Sequence, residues 1–229
     1  GWGWPVRNTA ITRMTEGYEV GHFVGYQADG IFQNQGEIFM HVNAEGDQLQ
    51  PNAAPGDIRF LDTNGDGTIN SDDIGDIGSP WPKHIIGLSA NVTYKDFYAS
   101  AIFNAQIGHE IYRTYERSDV TFSNYQSFWL GRWTPEDPST ELPRLTSTDP
   151  NNNQRPSDFY LENGNFLRLR NLQIGWNVPA KMLEKFNMKE AKIYLTGTNL
   201  FTVTNYRGFD PDIGTSGWIL DTGIDKGFY

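Results

Sequence analysis

The chain has 229 residues, a formal charge of -10 and no cysteine. These features exclude a disulfide framework, a zinc–thiolate centre and a thiol nucleophile, and they argue against an electrostatic footprint for nucleic acid. Aromatic residues reach 14%, and 24 glycines and 12 prolines are spread along the sequence, a mixture that favours β structure with many turns and long loops.

No apolar run approaches the roughly 18–20 residues of a membrane-spanning helix. A spanning β-strand needs only about 9–11 alternating residues and leaves a weak hydropathy trace. The opening residues, Gly1-Trp2-Gly3-Trp4-Pro5, carry neither a basic region nor an apolar stretch and do not read as a signal peptide.

Residues 56–61 read as a strand, and the next twelve, D-T-N-G-D-G-T-I-N-S-D-D (62–73), match a calcium loop. Asp62, Asn64 and Asp66 fall at positions 1, 3 and 5, with Gly67 at the sharp turn of position 6. Thr68 supplies the backbone carbonyl of position 7, and Asn70 and Asp73 occupy positions 9 and 12. Calcium takes six to eight hard oxygen ligands, and alternate residues of a tight loop can aim short carboxylates and amides at one point. An Asp/Asn/Gly-rich turn without metal is the alternative. The flanks, a strand before and an expected turn over 75–82, are wrong for the helix pair of a sensor EF-hand, so a bound Ca2+ is expected to be structural.

Residues 85–94 alternate cleanly. Ile86, Leu88, Ala90, Val92 and Tyr94 form one face, while Gly87, Ser89, Asn91 and Thr93 form the other. Lys95-Asp96 makes a two-residue turn, which sets Tyr94 opposite Phe97 and brings Ala99, Ala101, Phe103 and Ala105 onto the same apolar face. That is the pattern of a barrel wall between lipid and a wet lumen. A soluble sandwich with the apolar face inward shares it.

Residues 107–158 read as a long irregular region. Strand character resumes over 159–178, with Arg168 and Arg170 on a face that is not lipid, and Pro179 ends it. Residues 180–186 suit two short helical turns, 191–203 a further strand, and 205–228 a second Gly/Pro/Asp-rich loop. Connections alternate between long and short, as in outer-membrane barrels. Trp129, Trp133 and Trp218, with Tyr112, Tyr115 and Tyr125, fall in the long segments as candidates for substrate contact or for packing loops together. His22, His41, His84 and His109 lack metal-ligand spacing, and no nucleophile elbow, Walker loop or dinucleotide fingerprint is present, so no enzyme activity is expected.

Several stretches together resemble one family. They are V-G-H-F-V-G-Y-Q-A-D-G-I-F-Q (20–33), A-P-G-D-I-R-F-L-D-T-N-G-D-G-T-I-N-S-D-D (54–73), I-G-S-P-W-P-K (77–83) and Y-K-D-F-Y-A-S (94–100). R-W-T-P-E-D-P (132–138), F-L-R-L-R-N-L-Q-I-G-W-N-V-P (166–179) and Y-L-T-G-T-N-L-F-T-V-T-N-Y-R-G-F-D-P (194–211) continue the series. The chain resembles the C-terminal barrel portion of SusC/RagA-type TonB-dependent outer-membrane transporters. The resemblance implies an all-β fold, an antiparallel transmembrane β-barrel of 22 strands with long extracellular loops. It implies uptake of oligosaccharides or peptides across the Gram-negative outer membrane, with a SusD-like lipoprotein lid and with TonB acting through a plug. Residues 1–229 would then be barrel wall and loops, with the plug and the closing strand outside them. The alternatives are a secreted, calcium-stabilised β-sandwich that binds carbohydrate and, less well matched because only one loop is found, a dockerin-like module.

Overall fold

A computed structural model describes residues 5–6, 9–114, 125–213 and 224–225. The chain divides into two compact units, one of Gly1–Pro80, Ile111–Glu162 and Ile213–Tyr229, the other of Trp81–Glu110 and Asn163–Asp212.

The first unit is built from short strands and turns. β1 (Pro5–Val6) pairs antiparallel with β2 (Thr9–Ala10). β3 (Thr12–Arg13), β4 (His22–Gly25) and a later strand β7 (Gly75–Gly78) form one small sheet in the order β3-β4-β7. β5 (Ala28–Ile31) pairs with β6 (Ile58–Phe60), and the helix α1 (Gln35–Met40) lies between them in sequence. The Asn34 side chain caps α1 by accepting from the Glu37 amide, as a short polar residue does at a helix start. The expected turn over 75–82 thus contains a strand: Gly75 and Asp76 pair with Gly25 and Val24 of β4, a long-range partner that no local turn signal reveals.

The irregular stretch also contains structure. β10 (Glu110–Arg113) is the middle strand of a sheet between β11 (Leu161–Asn163) and β14 (Ile224–Asp225), the latter running parallel to it. Ile11, Phe23, Tyr112 and Tyr160 form this unit's apolar cluster, with Ile77, Phe159 and Leu161 packed against it.

The second unit is one antiparallel sheet of four long strands in the order β13-β12-β9-β8. Its members are β8 (His84–Tyr94), β9 (Phe97–Ile107), β12 (Phe166–Asn177) and β13 (Lys192–Thr204). Lys95 takes φ +56° in the two-residue turn, and Tyr94 faces Phe97 as the spacing predicts. Across the sheet, Val92, Ala99, Ile174 and Leu195 lie in one row, and Tyr94, Phe97, Trp176 and Ile193 in the next. This face is apolar from edge to edge and open to the surroundings: Val92 is 64% exposed and Leu195 77%. The opposite face carries Asn91, Ser100, Gln173 and Thr196 in one row.

Arg168 and Leu172 have the same parity yet lie on opposite faces, because β12 bulges between Leu169 and Asn171 in both pairings. Arg170 is the extra residue and stands outside the regular alternation, yet it reaches Asp212 as Arg168 does, so the two arginines share the side that is not apolar. α2 (Ala180–Leu183) and a 3-10 turn (Glu184–Phe186) follow Pro179, as expected for 180–186.

Gly175 faces Tyr98 across the strands, and a Cβ there would overlap the Tyr98 ring. Gly175→Ala should therefore lower stability by about 1–3 kcal/mol. Denaturant unfolding should show much of that loss recovered when Tyr98→Ser is added.

Candidate functional site

The 62–73 loop is closed by its own side chains. Asp62 accepts from the amides of Gly65 (2.7 Å) and Gly67 (2.8 Å), one per carboxylate oxygen. The carbonyl oxygen of the Asn64 side chain accepts from the Asp66 amide at 2.8 Å. Asp66 takes the Thr68 amide and hydroxyl on one oxygen and the Asn64 and Asn70 amide groups on the other. Asp73 is buried; it accepts from the Thr63, Asn64 and Asn70 amides and completes a capping box with Asn70. Gly67 adopts φ +87°, and Asn43 donates to its carbonyl at 3.2 Å, which ties the loop to the turn after α1.

These donors are all hard oxygens, the chemistry that calcium prefers. Among the described residues, however, no group of three or more His, Cys, Asp or Glu side chains gathers at metal-binding distance. The carboxylates serve as acceptors for the loop's own N–H groups.

Those hydrogen bonds also set the acidity of the loop. Asp66 is held below the ordinary carboxylate range, chiefly by the Thr68 hydroxyl. Burial pushes Asp73 upward, but the amides of Asn70, Thr63 and Asn64 outweigh it and the net shift is downward.

A second polar centre is buried beside β6. Asp57 has no exposure and receives Arg144 through Nε (2.6 Å) and Nη2 (3.0 Å), the Ala54 amide, and the Asn153 side chain. Asn153 in turn accepts from the Ile58 amide and from Asn151, and Gln50 links Asn151 to the Ile58 carbonyl and the Phe60 amide. The polar run over 151–154, which reads in sequence as loop, supplies the interior of this network. Beside it, Gly56 (φ +90°) leaves room for Trp133, whose ring would lie 2.5 Å from a Cβ there. The A-P-G-D and R-W-T-P stretches are therefore two halves of one packed unit. A buried aspartate next to a glycine that seats a tryptophan is the signal that alternation and motif reading pass over.

Arg168, nearly buried on the polar side of the sheet, is bonded to Thr202 and ion-paired with Asp210 and Asp212, and Arg170 pairs with Asp212 at 2.7 Å. The expected pairing of these arginines with acidic residues is thus present, and it fastens the segment after β13 to the polar face. Burial raises the Asp210 carboxyl, but the hydrogen bond from Arg168 leads the opposing effects and its net position is below normal.

The aromatic candidates are not presented as an open platform. Tyr112 lies in β10, 4% exposed in the apolar cluster, which corrects its placement in a loop. Trp129 and Trp133 are also buried, Trp129 between Phe128 and the edge of Tyr125. Tyr125, Trp129 and Tyr160 do line a small cleft with Arg144 and Asp149. Trp218 and Tyr115 lie outside the described residues. The histidines stay apart: His22 stacks on Tyr18, His41 bonds to the Phe60 carbonyl, His84 opens β8, and His109 packs on Phe166. Burial lowers the pKa of His41 and His109, so both are neutral near pH 7.

No family model matches the chain. It is 32% identical over 208 residues to TonB-dependent receptor P3 of Formosa agariphila, covering 90% of this chain and 20% of that protein. It is 25% identical over 193 residues to TonB-dependent receptor SusC of Bacteroides thetaiotaomicron, covering 84% and 18%. The chain thus spans about a fifth of the length of these curated relatives. Among solved structures, the RagAB peptide importer in its open-open state aligns with a TM-score of 0.63 at 21% identity, covering 93% of this chain and 22% of that one. A second RagAB peptide transporter structure gives 0.62 at 22% identity, covering 94% and 23%.

Two outcomes are expected. Asp57→Ala strands the Arg144 charge, which is a quarter exposed, and should cost about 2–3 kcal/mol, seen as a lower urea midpoint. For the loop, a depressed carboxylate pKa stabilises the fold above the unfolded value and loses that stability as pH falls through the folded one. Cleavage of 62–73 by pepsin should therefore rise as the pH drops below about 4, and less so in Asp73→Asn.

Proposed function

The chain belongs with the TonB-dependent receptors of the SusC type, and on that premise we propose that it forms barrel wall and loops of an outer-membrane nutrient importer. The observation that carries this reading is the four-stranded sheet whose apolar face, among the described residues, leaves Leu88, Val92, Tyr94, Ile174, Ile193 and Leu195 more than half exposed. Water would disfavour so large an apolar surface, whereas lipid accepts it. The strands have 11, 11, 12 and 13 residues, enough for the roughly 9–11 that a tilted spanning strand requires. Tyr94, Phe97 and Trp176 cluster beside the short turn, where an aromatic girdle would meet the headgroups. A sandwich would bury the same face against a second sheet.

In this reading the polar face lines the lumen, and the β8 and β13 edges continue into further strands of a closed barrel, since unpaired edges are not tolerated in lipid. The cargo is oligosaccharide or peptide, captured with a SusD-like lipoprotein lid. TonB drives release through a plug outside this chain. The protein moves its substrate and does not transform it. The 62–73 loop lies on the extracellular side, where Asp62, Asn64, Asp66, the Thr68 carbonyl, Asn70 and Asp73 would hold calcium as a structural staple.

Leu172→Arg, in the middle row of the apolar face, should cost about 2–4 kcal/mol and sharply reduce the protein assembled in the outer membrane. Gln173→Arg, its neighbour on the polar face, should assemble normally; equal effects would sink the wall assignment. Growth on a candidate glycan or peptide as sole nutrient should fail in step with assembly. For calcium, addition of the ion after chelation should protect 62–73 from protease, and unchanged cleavage would remove the staple.

A further inference from the structure

Five of the chain's seven lysines gather at one end of the sheet, although the chain as a whole carries a charge of -10. Lys95 is in the two-residue turn. Lys181, Lys185 and Lys189 lie on the connection from β12 to β13, and Lys192 opens β13 opposite Asn177. The turn and the connection share one end of the sheet, because the Asn177 amide donates to the Asp96 carbonyl at 2.7 Å. Asp96, Glu184 and Glu190 are the acidic residues there, and Glu190 engages Lys192 at 2.9 Å. Five lysines against three carboxylates leave a local charge of +2.

The same connection exposes large apolar side chains. Met182 is 52% exposed, Phe186 71% and Met188 48%, while Leu183 alone turns inward and anchors the segment. Asn187, in the left-handed region at φ +52°, ends the helical part, so the element is a short, compact projection and not an extension of the strands. It leaves the sheet one residue beyond Trp176, which stacks on Phe97 at the edge of the apolar face. Exposed thioethers and a phenyl ring interleaved with lysines suit neither water nor hydrocarbon alone. They suit the boundary between the two, where apolar groups enter the acyl region and ammonium groups stay at headgroup phosphates.

We propose that residues 178–192, with Lys95, form a binding surface for anionic phospholipid headgroups on the short-turn side of the sheet. Met182, Phe186 and Met188 dip below the phosphates, and Lys181, Lys185 and Lys189 hold them. This rests on the wall assignment made above, which places the sheet's apolar face in lipid. It adds a lipid preference confined to one leaflet, fixing how deep the sheet sits through charge as well as through its aromatic girdle. The lysine ammonium is a compact point charge suited to a phosphate that needs no bidentate geometry.

The test uses the complete protein in vesicles of phosphatidylcholine, with or without phosphatidylglycerol. This chain has no cysteine, so with any cysteine in the rest of the protein replaced, Phe186→Cys or Leu195→Cys gives one site for an environment-sensitive fluorophore. Both labels should be quenched by brominated phospholipid and resist aqueous iodide. The variant K181Q/K185Q/K189Q should assemble normally yet retain at least about tenfold less co-purified phosphatidylglycerol, since the several-fold preference that each lysine contributes near an anionic surface compounds over three. Quenching by lipid at 195 but by iodide at 186 would overturn the proposal and leave the wall assignment standing. Protection from both quenchers at 186 would mean that protein covers the segment, and would also overturn it. No lipid quenching at either site would defeat the wall assignment itself. Unchanged phosphatidylglycerol in the triple variant would remove the lysines' role.

Discussion

Because side chains alternate along a strand, a slip of one residue between β9 and β12 would turn Leu172, Ile174 and Trp176 to the polar side. The whole second unit depends on that register. The bulge at Arg170 is what maintains it: Leu167 and Leu169 precede the bulge, Leu172 and Ile174 follow it, and all four reach the same face despite their change of parity. β13 absorbs the same irregularity around Asn199, which takes a left-handed conformation at φ +50°. A bulge increases local twist and re-aims side chains. Here it leaves Arg170 beside Arg168, where both can reach Asp212.

The loop-rich unit is organised by a different principle. It has few long strands, so its backbone amides and carbonyls find partners on side chains. Asp57, Asn151, Asn153 and Gln50 bond to the backbone of residues 54, 58 and 60. The 62–73 loop repeats the device with Asp62, Asp66 and Asp73. A buried polar network of this kind rigidifies when every member is satisfied and is costly when one is missing. That explains how stretches far apart in sequence, 54–60, 132–144 and 151–158, are bonded and packed together. Arg155 completes it by lying over the Tyr26 and Phe60 rings while bonding to the Asn151 and Asn152 carbonyls.

Charge is distributed as unevenly as polarity. Arginine dominates where an ion pair must be held with fixed geometry, at Asp57, Glu162, Asp210 and Asp212. Lysine dominates at the short-turn end, where flexible stems project from the sheet. The two residues are not interchangeable: the guanidinium fork organises carboxylates, while the ammonium is a mobile, strongly hydrated charge. The acidic excess lies elsewhere, notably in the 62–73 loop, so the net charge of -10 is a poor guide to the surface that any one partner would meet.

The sequence by itself determined the long hairpin, the register of Tyr94 against Phe97, the end of β12 shortly before Pro179 and the short helical turns after it. Those features follow from period-two alternation, a two-residue turn and proline chemistry, all local. It also determined the family, through motifs whose order along the chain is specific. The tertiary structure decided the rest. β7 and β10 are short strands whose partners lie far along the chain, so no local pattern announces them. Tyr112, Trp129 and Trp133 read as loop aromatics and are buried, because burial depends on what folds back over a residue. The bulge at Arg170 left a trace in the paired polar residues Arg170 and Asn171, but only the pairing to β9 and β13 shows that it changes the face. The calcium-type loop is legible as a donor set, yet the arrangement that closes it, carboxylates turned to their own backbone amides, exists only once the chain is folded.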